Sequence, residues 1–568
     1  MIEALLKQSK DKVCKKHLQY FIENIYRTDN KPSFYRFHQT ADWCVAEFRK
    51  MGLKSRKVEF LADGKKTYGD WVMPKAWDAF SLQLKDTQTG KIIADYDTIS
   101  THMVMGSGAT PKGGVTGECI YIDDLSQILI YQVKDKFILT KENPQCFKKV
   151  AKEAGALAFL FHGKLESFQG DAVRWVNAWA DRSDLWALTA ADTEFPAISL
   201  SPNTVEYYKQ KITSGEKIVF FADIQTKFYE GTLPVVEAIL EGDSKEEVFF
   251  TGHLFEQGAN DNASGCAGMM EMARILSQKK NKRTIRFLFT SEIYGTLPYC
   301  FENQIAIKNC KISMNIDSIA DVDRKDNKMH IYQNPDIKPS FVNLLLKEII
   351  KQSKSENIFN FKKFILDDNL VADPQIGIPC ALMAVCAFRW HTSLDTLDTI
   401  DYDLFHLTTS ICLTFAEITS NDSEDAYKIL QPLVKKHIIT FAESINSKFL
   451  SSDLQIYKQE LIDEISNGLV ENLDGYFGKI ENGIDTQKNE NGPKRTYFGP
   501  PSYQNVSKED LKILSMWSSS ALMILFLCNG NRSEKRIIAY AAYLFDLDVD
   551  YIAEILDALK RNNYLYYS

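Results

Sequence analysis

The stretch that decides the fold is Val248 to Leu276, VFFTGHLFEQGANDNASGCAGMMEMARIL. Val248-Phe249-Phe250 reads as a buried strand that ends at Gly252-His253. A polar loop with glycines at both ends follows, Gly258 to Gly265. Cys266, Met269, Met270, Ala273 and Leu276 then fall on one face of a helix, with Asn262 or Ser264 as its cap. A histidine therefore leaves the carboxyl end of a strand, and Asp261 sits in the turn before the next helix. Ligands bind at that place in open α/β sheets. Imidazole and carboxylate together suit zinc. Alone, such a pair more often marks a packed histidine and a helix cap.

Downstream the pattern recurs. Thr284–Phe289 is a strand followed by Ser291-Glu292-Ile293-Tyr294-Gly295, and Lys311–Ile316 is a strand ending at Asp317-Ser318. Ile376–Val385 is a buried strand leading to RWHTSLDTLDTIDYD, and a helix spans Leu404–Ile418. Strands alternate with helices from 229 to about 420, which predicts an α/β sheet with helices on both faces. His253, Asp261, Glu292, Asp317 and His391 each follow a different strand or open its loop. Two imidazoles and three carboxylates on one sheet edge suit a divalent metal with a spare carboxylate, which a hydrolase uses as general base.

The rest of the chain is read around this core. Length predicts three or four domains, and 45% hydrophobic with 25% charged residues is an ordinary globular composition. A net charge of -8 argues against a general nucleic-acid binder. The N-terminus lacks the pattern of a secretory signal, no apolar run reaches membrane length, and the eleven cysteines hold no CxxC pair. These features predict a cytoplasmic protein with reduced thiols. Residues 1 to about 55 read as two helices. Residues 80 to 228 carry strand-like runs at Phe80–Leu84, Ile120–Ile122, Lys136–Thr140, Ala158–Phe161, Ala197–Leu200 and Ile218–Ala222. The succession VKDKFILT, helix, EAGALAFLFH resembles the protease-associated domain, a spacer or lid that carries no chemistry. His162, Trp175, Trp179 and Trp186 are taken as packing residues of this part. The last stretch has the helix, helix, strand order of a winged-helix module. Between Asn531 and Ser568 stand five Lys/Arg and six Asp/Glu, a poor balance for holding phosphates. Docking or homo-oligomer formation is the expected role of this tail.

The motifs GHxxxxGANDNASG, RTIRFLFTSExxGT, NxDS, GIP and WHTxxDTxD, in this order, resemble the zinc aminopeptidases of the aminopeptidase Y and bacterial leucyl aminopeptidase type. Glutamate carboxypeptidase and glutaminyl cyclase belong to the same superfamily. The resemblance implies a zinc-peptidase-like mixed sheet divided as 1–78 and 229–422, with an insertion at 79–228 and a helical region at 423–568. It implies that His253 and Asp317 ligate one zinc, that Asp261 bridges two, that His391 ligates the second, and that Glu292 is the general base. Asp261-Asn262 would be a cis peptide. The implied activity is removal of amino-terminal residues from a peptide substrate. Alternatives are glutaminyl-cyclase-like chemistry, or a binding protein with a lapsed site.

Two departures bear on the metal count. The family writes Glu-Glu where this chain has Glu292-Ile293, so Glu292 can be read as either member of the pair. The carboxylate that usually follows the first histidine by two residues is Phe255. The second position then keeps only Asp261 and His391. One tight zinc is expected, with the second weak or absent unless Asp367 or Asp368 turns in.

Overall fold

The computed structural model describes every residue except 164–169, 178, 183–187, 323–325, 422, 480–489, 515–518 and 568. Trp186 lies outside the described residues.

Eight strands form the main sheet. In spatial order they are Lys54–Ala62, Gly231–Leu240, Arg283–Thr290, Ser244–His253, Cys310–Ile316, Cys380–Ala384, Met329–Tyr332 and Phe359–Lys362. The four central strands, from Arg283–Thr290 to Cys380–Ala384, are mutually parallel. Their side chains are buried on both faces almost throughout, which is why they read as continuous apolar runs instead of alternating. From Ser244–His253 the chain crosses to a neighbour on one side, Arg283–Thr290, and then to one on the other, Cys310–Ile316. The carboxyl end of Ser244–His253 is thus a topological switch point, where a crevice opens.

Alternation along the strands assigns the two faces. Phe250 and Phe287 stack, and Phe48 of helix Phe34–Lys50 and Phe415 of helix Tyr402–Thr419 pack on that side. Arg286 points the other way, between Glu247 and Glu237, and Tyr299 of helix Thr296–Glu302 reaches Glu237 there. The fold is a mixed α/β sheet with helices on both faces, as the periodicity predicted.

A second sheet holds seven strands in the order Ile92–Asp95, Ala76–Asp86, Ile218–Tyr229, Val115–Tyr121, Lys136–Thr140, Ala158–Phe161 and Ala197–Ser199. Four of the six runs read from sequence lie wholly in it, and Ile120–Ile122 and Ala197–Leu200 each overrun their strand by one residue. The connection between its last two strands reaches the main site: Trp175 N–H donates to His391 O at 2.8 Å, and Ser393 N–H to Val173 O at 2.8 Å. Trp179 packs inside this part, stacked on Phe161, and His162 is half-buried.

The N-terminal end departs from expectation. The N-terminal part contains three helices, Ile2–Lys12, Lys15–Asp29 and Phe34–Lys50, not two. Val13 and Cys14 take extended backbone between the first two and separate short amphipathic segments. In the helical region expected over 423–568, Asp510–Lys512 forms a single turn and Ser519–Leu527 a helix. The tail is also packed into the body. Arg495 forks onto Asp373 at 2.7 and 2.8 Å with both side chains buried, and Asp70 accepts from Ser502 N–H and Tyr564 O–H at 3.0 and 2.7 Å.

Candidate metal centre

The loop after Ser244–His253 is held by a net of hydrogen bonds, most of them to residues far away in the chain. Asn262 Oδ1 accepts from Gly265 N–H at 2.9 Å, which caps helix Ala263–Leu276, and from Ser318 N–H at 3.1 Å. Asn262 Nδ2 donates to Ile316 O at 3.1 Å. The same asparagine thus fastens the Asp261 turn to the strand that carries Asp317. Gly265 is needed here, since a Cβ would lie 2.3 Å from Ile316 O. Asp395 accepts from Asn260 N–H at 2.7 Å and Asp261 N–H at 3.1 Å. The Asp261-Asn262 peptide is cis.

This net places two donor groups side by side. His253 Nε2 lies 3.6 Å from Asp261 Oδ1 and 3.4 Å from Asp317 Oδ1. His391 Nε2 lies 3.3 Å from Asp261 Oδ2 and 3.1 Å from Glu256 Oε2. Each group of three, His253-Asp261-Asp317 and Glu256-Asp261-His391, has its donor atoms within 4.8 Å of one another. Asp261 belongs to both, one oxygen to each side. The imidazole of His391 is fixed by aromatic neighbours: Trp390 stacks on it at 3.8 Å and Trp175 meets it edge-on at 4.9 Å. Trp175 thus packs against the His391 ring.

Glu256 was not anticipated. The expectation that the second position keeps only Asp261 and His391 does not hold, because Glu256 supplies the third donor that Ile293 lacks. It comes from the turn after His253, in which Phe255 takes a left-handed conformation at φ 74°. Asp29 anchors that turn, accepting from Phe255 N–H at 2.9 Å and from Thr40 O–H at 2.5 Å. Left-handed residues cluster around the centre: Phe255, Ile293, Ser318 and His391 all have φ between 52° and 74°.

The two further carboxylates part company. Asp368 is turned away from the donors and is consumed by structure: it accepts from Ile293 N–H at 3.0 Å, Thr290 O–H at 2.7 Å and Thr296 O–H at 2.6 Å. It fixes the Glu292 turn. Asp367 lines the cavity together with Glu292 and both donor groups. Glu292 belongs to neither group of three.

The electrostatics are those of crowded carboxylates. Loss of water and then Asp367 hold the Glu292 carboxyl well above its ordinary range. Burial, Asp317 and Asp368 push Asp367 up to about 8. Burial works to deprotonate His253 and His391, but Asp317 overrides it at His253, and Glu256 and Asp261 push His391 up to about 9. Asp261, Glu256, Asp317, Glu292 and Asp367 with two imidazoles fit a divalent cation better than they fit protons alone. Asp261 Oδ2 is buried without an aligned hydrogen-bond donor among the described residues. Nitrogen and carboxylate donors in threes, with room left for water, are the set zinc takes in catalytic sites.

The cavity over these groups has a volume of about 480 Å³. Loops of the inserted part contribute Asn143, Arg174 and Val176 to its wall, and the tail contributes Leu522. Among the described residues no helix is long and apolar enough to cross a membrane.

Solved structures share this architecture. A zinc aminopeptidase from Bacillus subtilis superposes with a TM-score of 0.52 at 16% identity, over 72% of this chain and 96% of that one. A peptidase precursor from Shewanella amazonensis gives 0.54 at 15%, over 74% and 97%. A Clostridium acetobutylicum structure, provisionally named a peptidase, gives 0.52 at 16% over 100% of both chains. At these identities the likeness is one of fold. Among curated sequences, a Clostridium acetobutylicum protein named for polysaccharide biosynthesis and for an aminopeptidase-like domain is 27% identical over 179 residues, 31% of this chain. The match spans 40% of that protein's length. The model of one family, described as a domain of unknown function, DUF4910, matches residues 38–422, a span that holds every donor residue named above. The chain belongs to the DUF4910 family.

Proposed function

We propose that the chain is a zinc-dependent exopeptidase, an aminopeptidase. The observation that carries this reading is Asp261, which offers one oxygen to each of two complete donor groups while Glu292 stands apart from both on the same cavity wall. His253, Asp261 and Asp317 would hold one zinc, and Glu256, Asp261 and His391 a second. When bound, zinc polarises the scissile carbonyl and makes water more acidic. The chain's residues do the rest. Glu292 takes a proton from water at its carboxylate and passes it to the departing nitrogen. Asp367 raises the proton affinity of Glu292 and so suits it to that transfer. Trp390 and Trp175 keep the His391 ring from turning, and Asp29 and Asp395 hold the backbone that aims Glu256 and Asp261.

The walls support cleavage at a chain end. Loops of the inserted part and Leu522 of the tail close over the donors, so a peptide terminus fits where the middle of a folded chain does not. The aminopeptidase named among the similar structures, and the relative with an aminopeptidase-like domain, support the same reading. Two full donor sets speak against a lapsed site. The tail packs on its own chain through Arg495 and Asp373, and a homo-oligomer formed through its outer surface remains part of this reading. The eleven unpaired cysteines suit a reducing cytoplasm.

The test is release of free amino acids from a mixed peptide library by the full chain. Release that stops with chelator and returns with zinc supports the reading. Internal fragments, loss of ammonia without free amino acids, or indifference to chelator overturns it.

A further inference from the structure

A chamber of about 80 Å³ lies between the edge of the main sheet and the tail. Strands Met329–Tyr332 and Phe359–Lys362 are parallel, so the loops after them emerge side by side. The first loop brings Asn334 and Asp336 to the chamber, and the second brings Lys363 and Phe364. The tail adds Met523 of helix Ser519–Leu527 and Phe545 of helix Glu534–Phe545. Phe364 and Met523 are buried and Phe545 is half-buried, whereas Asp336 and Lys363 are exposed. The chamber thus has an apolar floor, with one carboxylate and one ammonium on its solvent side. None of these residues lines the metal-facing cavity.

The two charges do not close on one another. Neither Asp336 nor Lys363 makes an ion pair or a side-chain hydrogen bond among the described residues. The other cations near Asp336 are committed elsewhere. Lys448 donates to Tyr543 O at 2.6 Å and pairs with Asp546 at 2.6 Å, and Lys347 lies 5.1 Å from the Phe361 ring centre. Asp336 touches solvent, yet the protein packed around it holds its carboxyl above the ordinary range, although Lys363, Lys347 and Lys448 pull it down. A carboxylate so placed gains from a cation, and Lys363 gains from an anion. A molecule that carries both charges meets both needs. At ~10–15 Å³ for each water-sized guest, the chamber has room for roughly five to eight non-hydrogen atoms, the size range of alanine to valine.

We infer that this chamber is a separate ligand site that takes a free apolar α-amino acid of about the size of valine. Its ammonium meets Asp336, its carboxylate meets Lys363, and its side chain lies over Phe364, Met523 and Phe545. A charged side chain would lose its water there without gaining a partner. The ligand is of the class that the proposed reaction releases, but the inference rests on the chamber and not on that reading. Met523 is the neighbour of Leu522, which lines the metal-facing cavity. One helix therefore serves as a wall of both spaces.

The test is calorimetry on the full chain. L-Valine is titrated into the zinc-loaded protein and again after chelator. Isovalerate, which lacks the ammonium, L-valinamide, which lacks the carboxylate, and L-aspartate follow in the chelator-treated protein. L-Valine should bind in both states, and at least about tenfold tighter than each of the other three. Asp336→Asn should bring L-valine to within about threefold of isovalerate, and Lys363→Met to within about threefold of L-valinamide. Both residues are exposed, so the unfolding midpoint should hold in each variant. Met523→Trp fills the chamber and should remove L-valine binding; Met523→Phe serves if that variant does not fold. No L-valine binding up to about 10 mM, binding lost with the metal while the chain stays folded, L-aspartate bound as tightly, or margins unmoved by Asp336→Asn and Lys363→Met overturns the inference. The chelator-treated protein needs no turnover, so this result stands whether or not the chain proves to be a peptidase.

Discussion

Nε2 of His391 lies 3.1 Å from Oε2 of Glu256. A histidine after the last central strand thus meets a carboxylate from the turn after the first. The family resemblance places that donor at residue 293, where this chain has isoleucine. Ile293 is fully buried and its N–H is bound by Asp368. The position is occupied by structure, and Glu256 offers a carboxylate to the same group from another direction.

Glu292→Gln should keep fold and zinc and lose about 10²–10⁴ in rate. The side chains are close to isosteric, and Glu292 belongs to neither donor group. Rate and metal content are measured on the same preparation. Zinc lost together with activity would make Glu292 a ligand instead of the base.

Asp367→Asn should move the acidic limb of kcat/KM to lower pH. Glu292 must be unprotonated to accept from water, so rate rises with pH through its titration. Asp367 is the neighbouring charge that raises Glu292 most, after loss of water. Neutralising it lowers the proton affinity of Glu292, and the limb follows. A limb that stays in place would remove Asp367 from this role.

Asp29→Ala should weaken the second metal position without touching a ligand. Phe255 N–H would lose its buried acceptor, at a cost of about 1–3 kcal/mol in stability. The Glu256 turn would loosen, with roughly a tenfold loss of zinc affinity in the Glu256 group. Asp29 is pushed up to about 7 by burial, so between roughly pH 4 and pH 7 the folded chain holds a proton that the unfolded chain releases. Stability contributed by this proton is present below that window and is lost as pH rises through it. Asp29→Asn should flatten that slope in thermal unfolding.

Arg495→Ala should destabilise by about 3–5 kcal/mol, because it leaves Asp373 buried without its cation. Asp373 follows the turn Asp368–Ala372, which braces the Glu292 loop, so activity should fall along with the unfolding midpoint. A variant of ordinary stability would show that the tail is not tied to the body through this fork.

Much of this was legible in the sequence for a physical reason. The four central strands are buried on both sides, so they read as apolar runs, and each is followed by a polar residue that a core would not tolerate. His253, Asp261, Asp317 and His391 could be picked out in that way. Asp261-Asn262 and the inserted strands at Lys136–Thr140 and Ala158–Phe161 also match their expected places. Glu256 escaped because a left-handed turn carries it, and such turns leave no periodicity. Its signal was local: it is the sole acid between His253 and Asp261, in a loop otherwise apolar or amide-bearing. Asp367 and Asp368 are adjacent in sequence, but the backbone of a tight turn sends one to the cavity and the other to Thr290 and Thr296. The tail's contribution of Leu522 was not legible either, since contacts made across the whole chain have no local pattern.

The central claim is that two donor groups share Asp261, and zinc counting on the full chain tests it most directly. Wild-type protein and Glu256→Ala are each dialysed against the same zinc buffer and counted by mass spectrometry per chain. The account predicts two zinc ions in the wild type and one in Glu256→Ala. One ion in both proteins, or none in the wild type, would contradict it.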